Sequence, residues 1–328
     1  MEMRKAFSAF LQDAMAADER ICVIDSDLAN ANGTLGLRKL YPERAFDVGI
    51  AEQNMACIAA GLSSYGFIPF ITTFACFASR RICDQVAISC AYAKQNVKIV
   101  GTDPGITAEL NGGTHMAVED IGVLRSIPGI LIFEPCDEAE LLQSLPQIVD
   151  HPGPVYLRLH RKEVPAVHGS DYRFDLLKSD TLREGSDVTL FASGCVMVGY
   201  ALEAAKLLEA EGISAEVVNI HTIKPIDRAG VIASAAKTGA AVTCENHSIV
   251  GGLYSAVSEV LAAELPVPIL PIGFRDVCGE VGKASELAAK HGMLPGDIAA
   301  AAKTAIAKKR QNNRRFSQYS IYLGGNYG

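Results

Sequence analysis

The sequence predicts an α/β protein with two doubly wound, mostly parallel sheets. Three observations carry this: apolar runs of strand length alternate with helical patterns along the whole chain, a polar stretch interrupts the alternation once, and the alternation then resumes. Runs that are apolar throughout, rather than at every second residue, belong to strands covered on both faces.

In the first half the strands are "ICVID" (Ile21 to Asp25), "FIPFIT" (Phe67 to Thr72), "VKIVGT" (Val97 to Thr102), "ILIFEP" (Ile130 to Pro135) and "VYLRL" (Val155 to Leu159). Helical spacing places helices near 4–17, 50–64, 76–94 and 137–149 between them. The polar stretch "HGSDYRFDLLKSDTLREGSD" (His168 to Asp187) reads as an interdomain connection. Four more strands follow in "VTLFASG", "AEVVNIHTI", "AAVTCEN" and "ILPIGF", with helices near 196–211, 252–265, 283–291 and 297–309. The expected division is a first domain over 1–165, a linker over 166–187, a second domain over 188–308 and a tail over 309–328. Gln, Asn, Arg, Tyr and Gly dominate that tail, which reads as disordered or docked on a partner.

Composition excludes some classes. A formal net charge of −7 argues against a nucleic-acid protein, although "KKRQNNRRF" (Lys308 to Phe316) is locally basic. No run of roughly 18 apolar residues is present to span a bilayer, and no signal-peptide pattern opens the chain. A cytoplasmic protein is expected. The nine cysteines form no CxxC pair, so neither a zinc site nor a redox motif is expected from them. Cys76, Cys83 and Cys90 recur every seven residues and read as a packed helix face. Neither G-x-G-x-x-G nor G-x-x-x-x-G-K-[ST] occurs, so the common phosphate loops are missing from an α/β layout.

Three segments stand out. In "DVGIAEQNMACIAAGL" (Asp47 to Leu62), Glu52 opens an otherwise apolar helix with no obvious basic residue nearby. By spacing alone it complements the helix dipole. In "TTFACFASRRICDQ" (Thr72 to Gln85), Phe74 and Phe77 are spaced to share a helix face, which by itself describes core residues. "GTDPGITAELNGGTHMAVEDIGVLRSIPG" (Gly101 to Gly129) is a long glycine-rich loop after a strand, the usual place for ligands in α/β proteins. It carries His115, which by spacing alone is a helix-start histidine.

Together these segments resemble the pyrimidine-binding domain of transketolase, in order and spacing. "VVNIHTIKPID" and "TCENHSIVGGLYSAVSEVL" resemble the family's carboxy-terminal domain, and the resemblance covers about residues 4–305. It implies a thiamine diphosphate enzyme in which Glu52 hydrogen-bonds a ring nitrogen of the aminopyrimidine. Such a glutamate is expected to be protonated, through a pKa raised by apolar surroundings. Phe74 and Phe77 match the aromatic pair that holds the pyrimidine. His115 matches the histidine that exchanges protons with substrate hydroxyls or the cofactor's amino group, and Asp27 an acidic residue lining the cofactor cleft. Arg4 and Arg161 match two arginines that grip the substrate's terminal phosphate, and their guanidinium forks suit a phosphate or a sulfonate.

The chain departs from the family at the substrate-reading positions: Asp103 stands where a histidine is usual and Asn111 where an aspartate is usual. "LANAN" (Leu28 to Asn32) has also lost a phosphate-binding serine. A donor other than the ordinary pentose phosphates is expected, a branched ketose phosphate or a sulfonated ketose. The chain has no GDG motif for the diphosphate and its metal. The resemblance therefore implies the carboxy-terminal subunit of a split transketolase, working in an α2β2 assembly with a separate subunit that holds Mg2+; no metal ligand is expected on this chain. The alternatives are the beta subunit of a 2-oxo acid dehydrogenase and a noncatalytic transketolase-like subunit.

Overall fold

The computed structural model describes the backbone of residues 1–323 and the side chains of residues 1–311. Its twelve strands are β1 (Ile21–Asp25), β2 (Ala45–Asp47), β3 (Ile68–Phe74), β4 (Lys98–Thr102), β5 (Leu131–Phe133), β6 (Val155–Leu159), β7 (Asp180–Arg183), β8 (Val188–Ala192), β9 (Ala215–Asn219), β10 (Thr222–Lys224), β11 (Ala241–Ser248) and β12 (Ile269–Phe274). They form a seven-stranded sheet in the order β10-β5-β6-β4-β3-β1-β2 and a five-stranded sheet in the order β12-β11-β8-β9-β7. Every described pairing is parallel except β10 on β5 and β7 on β9.

Helices cover both faces of each sheet. On one face of the first sheet, Met3, Phe7, Leu11 and Met15 recur every four residues and pack with Leu141, Leu145 and Ile148. On the other, Met55, Ala56 and Ala59 pack with Ile82, Val86 and Ile121. The second sheet is sandwiched likewise, by Met197, Ala201 and Ala205 with Ala302 and Ala305 on one face and by Val231, Ala235, Leu253 and Val257 on the other. β1, β3, β4, β6 and β8 are buried at every residue, as their apolar runs require.

Several elements differ from the sequence expectation, among them the unanticipated helix Arg228–Thr238. The run 215–223 is two strands rather than one: β9 stays in the second sheet while β10 crosses to the edge of the first. The stretch expected as a linker contributes β7, the antiparallel edge of the second sheet. The three-residue β2, too short for a pattern, borders β1. The helix expected over 76–94 is broken into Ala75–Ser79, a 3-10 turn at Arg80–Ile82, Cys83–Gln85 and a π-helix at Val86–Tyr92. Cys76 and Cys90 consequently pack in different clusters, with Cys83 half-buried at the edge of the second. The last helix is Pro295–Leu323, so the expected tail is helical through Leu323, and residues 324–328 lie outside the described residues. No helix among the described residues is long and apolar enough to cross a membrane.

Buried charges mark the first sheet. Arg158 on β6 is wholly enclosed, its Nε 2.8 Å from Asp120 Oδ2, its Nη1 2.8 Å from Glu134 Oε1 and its Nη2 2.7 Å from the Asn246 carbonyl of β11. Lys98, which opens β4, is also buried and donates from Nζ to the carbonyls of His151 at 2.6 Å and Gly153 at 3.2 Å. Burial lowers its pKa from 10.5 to about 7. A base with a depressed native pKa leaves the unfolded chain binding more protons between those values, so stability rises with pH across that window. Urea unfolding of the wild type and of Lys98→Met is expected to diverge in the wild type's favour as pH rises from about 7 toward 10.5. A pH-independent difference between the two would refute it.

Candidate active site

Most of the candidate residues follow the carboxyl ends of β1, β2, β3, β4 and β6, as the switch-point rule for parallel sheets anticipates, while Arg4 comes from the helix Met3–Ala17. Phe74 is the last residue of β3 and Phe77 lies in the first turn of the helix that follows. They do not share a helix face. The strand-to-helix junction brings their rings together, with centroids 6.0 Å apart. The glycine-rich loop then lays His115 edge-on to both, 5.9 Å from Phe74 and 5.4 Å from Phe77. His115 Nδ1 lies 2.9 Å from Thr114 Oγ1.

Glu52 begins the helix Glu52–Ser64 and is 2% exposed. The expectation that its surroundings are apolar, with no base near, is corrected: Arg81 Nη1 donates to Glu52 Oε1 at 2.6 Å. The same guanidinium lies 3.9 Å from the centroid of Phe77, over its ring. Both arginines lie in the 3-10 turn Arg80–Ile82, from which Arg80 pairs with Glu119 and Arg81 with Glu52. Sequence reasoning missed Arg81. The available signal was the Arg80-Arg81 pair just after Phe77, masked by the assumption of one regular helix.

On the far side of Phe74, the Arg161 guanidinium sits 5.0 Å from the ring centroid. Its Nε donates to Asp103 Oδ2 at 2.6 Å and its Nη1 approaches the Ala31 carbonyl at 3.4 Å. Arg4 reaches that same carbonyl from Nη1 at 2.9 Å while its Nε lies 3.1 Å from Glu2 Oε2. The first helix is tied to the end of β6 by backbone bonds from Met3 to Lys162 and from Arg4 to Arg161. Glu52, Arg81, Phe77, His115, Phe74, Arg161, Asp103 and Arg4 thus form one continuous strip of contacts.

Two candidates stand apart from that strip. Asp27 is exposed and its backbone N–H bonds to the Asp47 carboxylate at 3.1 Å, with a φ of 57°. Asn111 is exposed at the end of the helical turn Gly105–Asn111. Beneath the strip lies a polar layer that the sequence did not reveal. Asp25, at the end of β1, accepts from Thr34 Oγ1 at 2.9 Å and from Thr72 Oγ1, and burial pushes its pKa up to about 6. Asn32 continues the layer to Thr72 at 3.3 Å and Thr102 at 2.8 Å.

The donor set fits an aminopyrimidine, with an aromatic pair, an enclosed carboxylate for a ring nitrogen and an adjacent imidazole, although Arg81 lies over the Phe77 face and on the carboxylate. The strip's two carboxylates, Glu52 and Asp103, are each engaged by an arginine, and its residues offer no glycine cradle for a diphosphate. Because the Arg81 side chain is 42% exposed whereas Glu52 is almost enclosed, Arg81→Ala is expected to cost about 1 kcal/mol. A denaturant midpoint unchanged from wild type would show that solvent replaces the guanidinium.

The transketolase pyrimidine-binding domain model matches residues 1–167 and the transketolase carboxy-terminal domain model matches residues 177–298. The chain is 48% identical over 307 residues to 6-deoxy-6-sulfo-D-fructose transketolase subunit SqwH of Clostridium sp. (strain MSTE9), covering 94% of this chain and 95% of that one. It is 38% identical to a subunit of apulose-4-phosphate transketolase from Phocaeicola vulgatus, over 88% of this chain and 93% of the relative. A solved split-gene transketolase, in an inactive β4 tetramer, superposes with a TM-score of 0.87 at 43% identity, over 94% of this chain and 99% of that one. The chain belongs to the transketolase family, as the carboxy-terminal subunit of a split enzyme whose reaction is transfer of a two-carbon ketol unit.

Proposed function

We propose that this subunit works with a separate chain bearing the GDG diphosphate and Mg2+ motif, in an α2β2 assembly, to move a ketol unit from a sulfonated ketose to an aldose phosphate such as glyceraldehyde 3-phosphate. The observation that carries the reading is the convergence of Arg4 and Arg161 on the Ala31 carbonyl, at one end of a strip whose other end is Glu52.

Each guanidinium of that pair already faces a carboxylate, Glu2 for Arg4 and Asp103 for Arg161. The excess positive charge left for a ligand is therefore small. A sulfonate carries a single charge on three oxygens, whereas a phosphate monoester carries about −1.5 to −2 at neutral pH. The monoanion suits the site better, and the substrate class in the name of the Clostridium relative supports the same choice. Asp103 is then a charge-tuning partner of Arg161 in place of the family's histidine, and Asn111 faces the substrate from the loop's exposed edge.

Thiamine diphosphate, when bound, supplies the nucleophilic carbon that carries the two-carbon unit. Phe74 and Phe77 would hold its pyrimidine, Glu52 would bond the ring nitrogen, and Asp27 would line the outer rim of the cleft. Arg81, which contacts both Phe77 and Glu52, would orient the Glu52 carboxylate beside the ring. His115, with Nδ1 engaged by Thr114, is left with Nε2 to hold and move a proton at a substrate hydroxyl. The partner is obligatory on this reading, which agrees with the inactivity of the related β4 tetramer. Nine free cysteines, none paired, support a reducing compartment such as the cytoplasm.

The test is co-expression with the GDG-bearing partner and kinetics on 6-deoxy-6-sulfofructose, fructose 6-phosphate and xylulose 5-phosphate, with glyceraldehyde 3-phosphate as acceptor. The sulfonate is expected to have the highest kcat/KM, Glu52→Ala to abolish turnover, and Arg161→Ala to lower kcat/KM for the sulfonate by about 10- to 100-fold, the worth of a charge-assisted pair. Equal or better use of xylulose 5-phosphate would remove the sulfonate assignment. Turnover of 2-oxo acids alone would remove the proposed reaction.

A further inference from the structure

Two histidines that the candidate active site does not use lie where the two sheets are joined. His168 stands in the connection before β7 and His221 between β9 and β10, with side chains only 5% and 1% exposed. One nitrogen of each ring is engaged: His168 Nδ1 lies 3.2 Å from Asp137 Oδ1, and His221 Nδ1 lies 3.0 Å from Thr222 Oγ1. The other nitrogen, Nε2, is buried without a hydrogen-bond partner in both. An orphaned buried ring nitrogen is costly, and two in one place call for a common cause.

Both Nε2 atoms point to the same oxygen. Each lies 3.8 Å from Asp180 Oδ2, too far for a hydrogen bond. Two ligands bound at about 2.1 Å to one ion are at most about 4.2 Å apart, so this spacing suits a shared cation. Glu140 is the next donor, with ligating atoms of Glu140, Asp180 and His221 all within 4.8 Å of one another, so a small side-chain adjustment brings it into range. We propose that Glu140, Asp180 and His221, with His168 facing the same Asp180 oxygen, form a site for one divalent cation of the zinc class.

The donors select the metal. Two imidazoles and two carboxylates match tetrahedral zinc, and two carboxylates balance its charge. Calcium and magnesium want six or more oxygens and find too few. The surroundings have the character of a supporting shell. Asp137 fixes the His168 ring, Tyr172 stacks on it at 3.7 Å and donates to Asp180 Oδ2 at 2.6 Å, and Glu140 accepts from Asn219 Nδ2 at 2.8 Å and from the Cys136 N–H at 2.6 Å.

The neighbouring group of Cys136, Asp137 and His168 is a poorer candidate. Asp137 is the more heavily engaged carboxylate: Oδ1 accepts from Glu140 N at 2.8 Å, and Oδ2 from Val167 N and His168 N at 2.8 and 2.7 Å, against one bond this short on each oxygen of Glu140. In the proposed set, Glu140 comes from a helix of the first sheet, Asp180 from the first residue of β7, and His221 from just after the end of β9. The ion would rivet the connection to both sheets.

The experiment uses the full-length chain, stripped with EDTA and dialysed, then titrated with Co2+ and with Zn2+. One equivalent of Co2+ is expected to give the visible d–d bands of a tetrahedral nitrogen-oxygen site, bleached by Zn2+. Zn2+ at about 100 times its Kd is expected to raise Tm by roughly 5 °C, with Mg2+ giving no shift. His221→Gln and Asp180→Asn should lose the bands and the shift while far-UV circular dichroism of the metal-free forms matches wild type. The contrast between Zn2+ and Mg2+ on the wild type decides the matter even where a variant fails to fold. No bands and no shift in the wild type, or bands that persist in both variants, would overturn the site.

Discussion

The arrangement depends on Arg158, a guanidinium with no exposed surface at the centre of the molecule. Its fork holds Asp120 behind the His115 loop, Glu134 beyond β5, and the carbonyl of Asn246 in the second sheet. Burial alone would push both carboxylates upward in pKa. Asp120 is nevertheless held below the usual range by Arg158, while burial leaves Glu134 above it. Such a cluster contributes little net stability compared with an apolar core of the same shape, but losing one member strands the others, at a cost of about 3–5 kcal/mol. Its value is positional. Tyr156 adds a bond to Asp120 at 2.6 Å, and His247 accepts from Gly122 N at 3.2 Å, so the start of the helix after the His115 loop is fixed from both sheets.

That fixing reaches the catalytic strip directly. The loop leaves β4 at Thr102 and is caught on its return by Ala117, whose carbonyl accepts from Gly105 N at 2.8 Å. Asn246 Oδ1 accepts from Ile106 N at 2.9 Å and its Nδ2 donates to the Pro104 carbonyl at 3.0 Å. A residue of the second sheet thus holds the loop of the first at both ends of its opening turn. Gly105, with a φ of 54°, permits this contact: a Cβ there would lie 2.1 Å from Asn246 Oδ1. His115 owes its place against Phe74 and Phe77 to a domain that contributes nothing else to the strip.

Much of this is legible in the sequence where physics repeats itself. Strands covered on both faces announce themselves as unbroken apolar runs, and β1, β3, β4, β6 and β8 are recognisable for that reason. The strip is reached through motifs whose residues the fold gathers, Glu52, Phe74, Phe77, His115, Arg4, Arg161 and Asp103. Illegible are features set by a change of local geometry or by distant pairing. The Glu52 and Arg81 ion pair depends on a 3-10 turn that apolar spacing does not encode. β7 and β10 are edge strands of four and three residues, half-polar, and defined by their partners more than by their own composition. Asp27 and Asn111 match by position, yet exposure at loop ends leaves them outside the contacts.

The crossing of β10 has an architectural consequence. Residues Thr222–Lys224 belong by chain order to the second half but close the hydrogen-bonding edge of β5 in the first sheet. A gene fission or module swap placed between the two halves would leave β5 as an open edge, a template for self-pairing of the kind natural sheets avoid. The pyrimidine-binding and carboxy-terminal units are consequently an indivisible module for recombination, although each has a complete sandwich of its own. A division ahead of Met3 severs no strand pairing of this chain, whereas one between the halves parts β10 from β5.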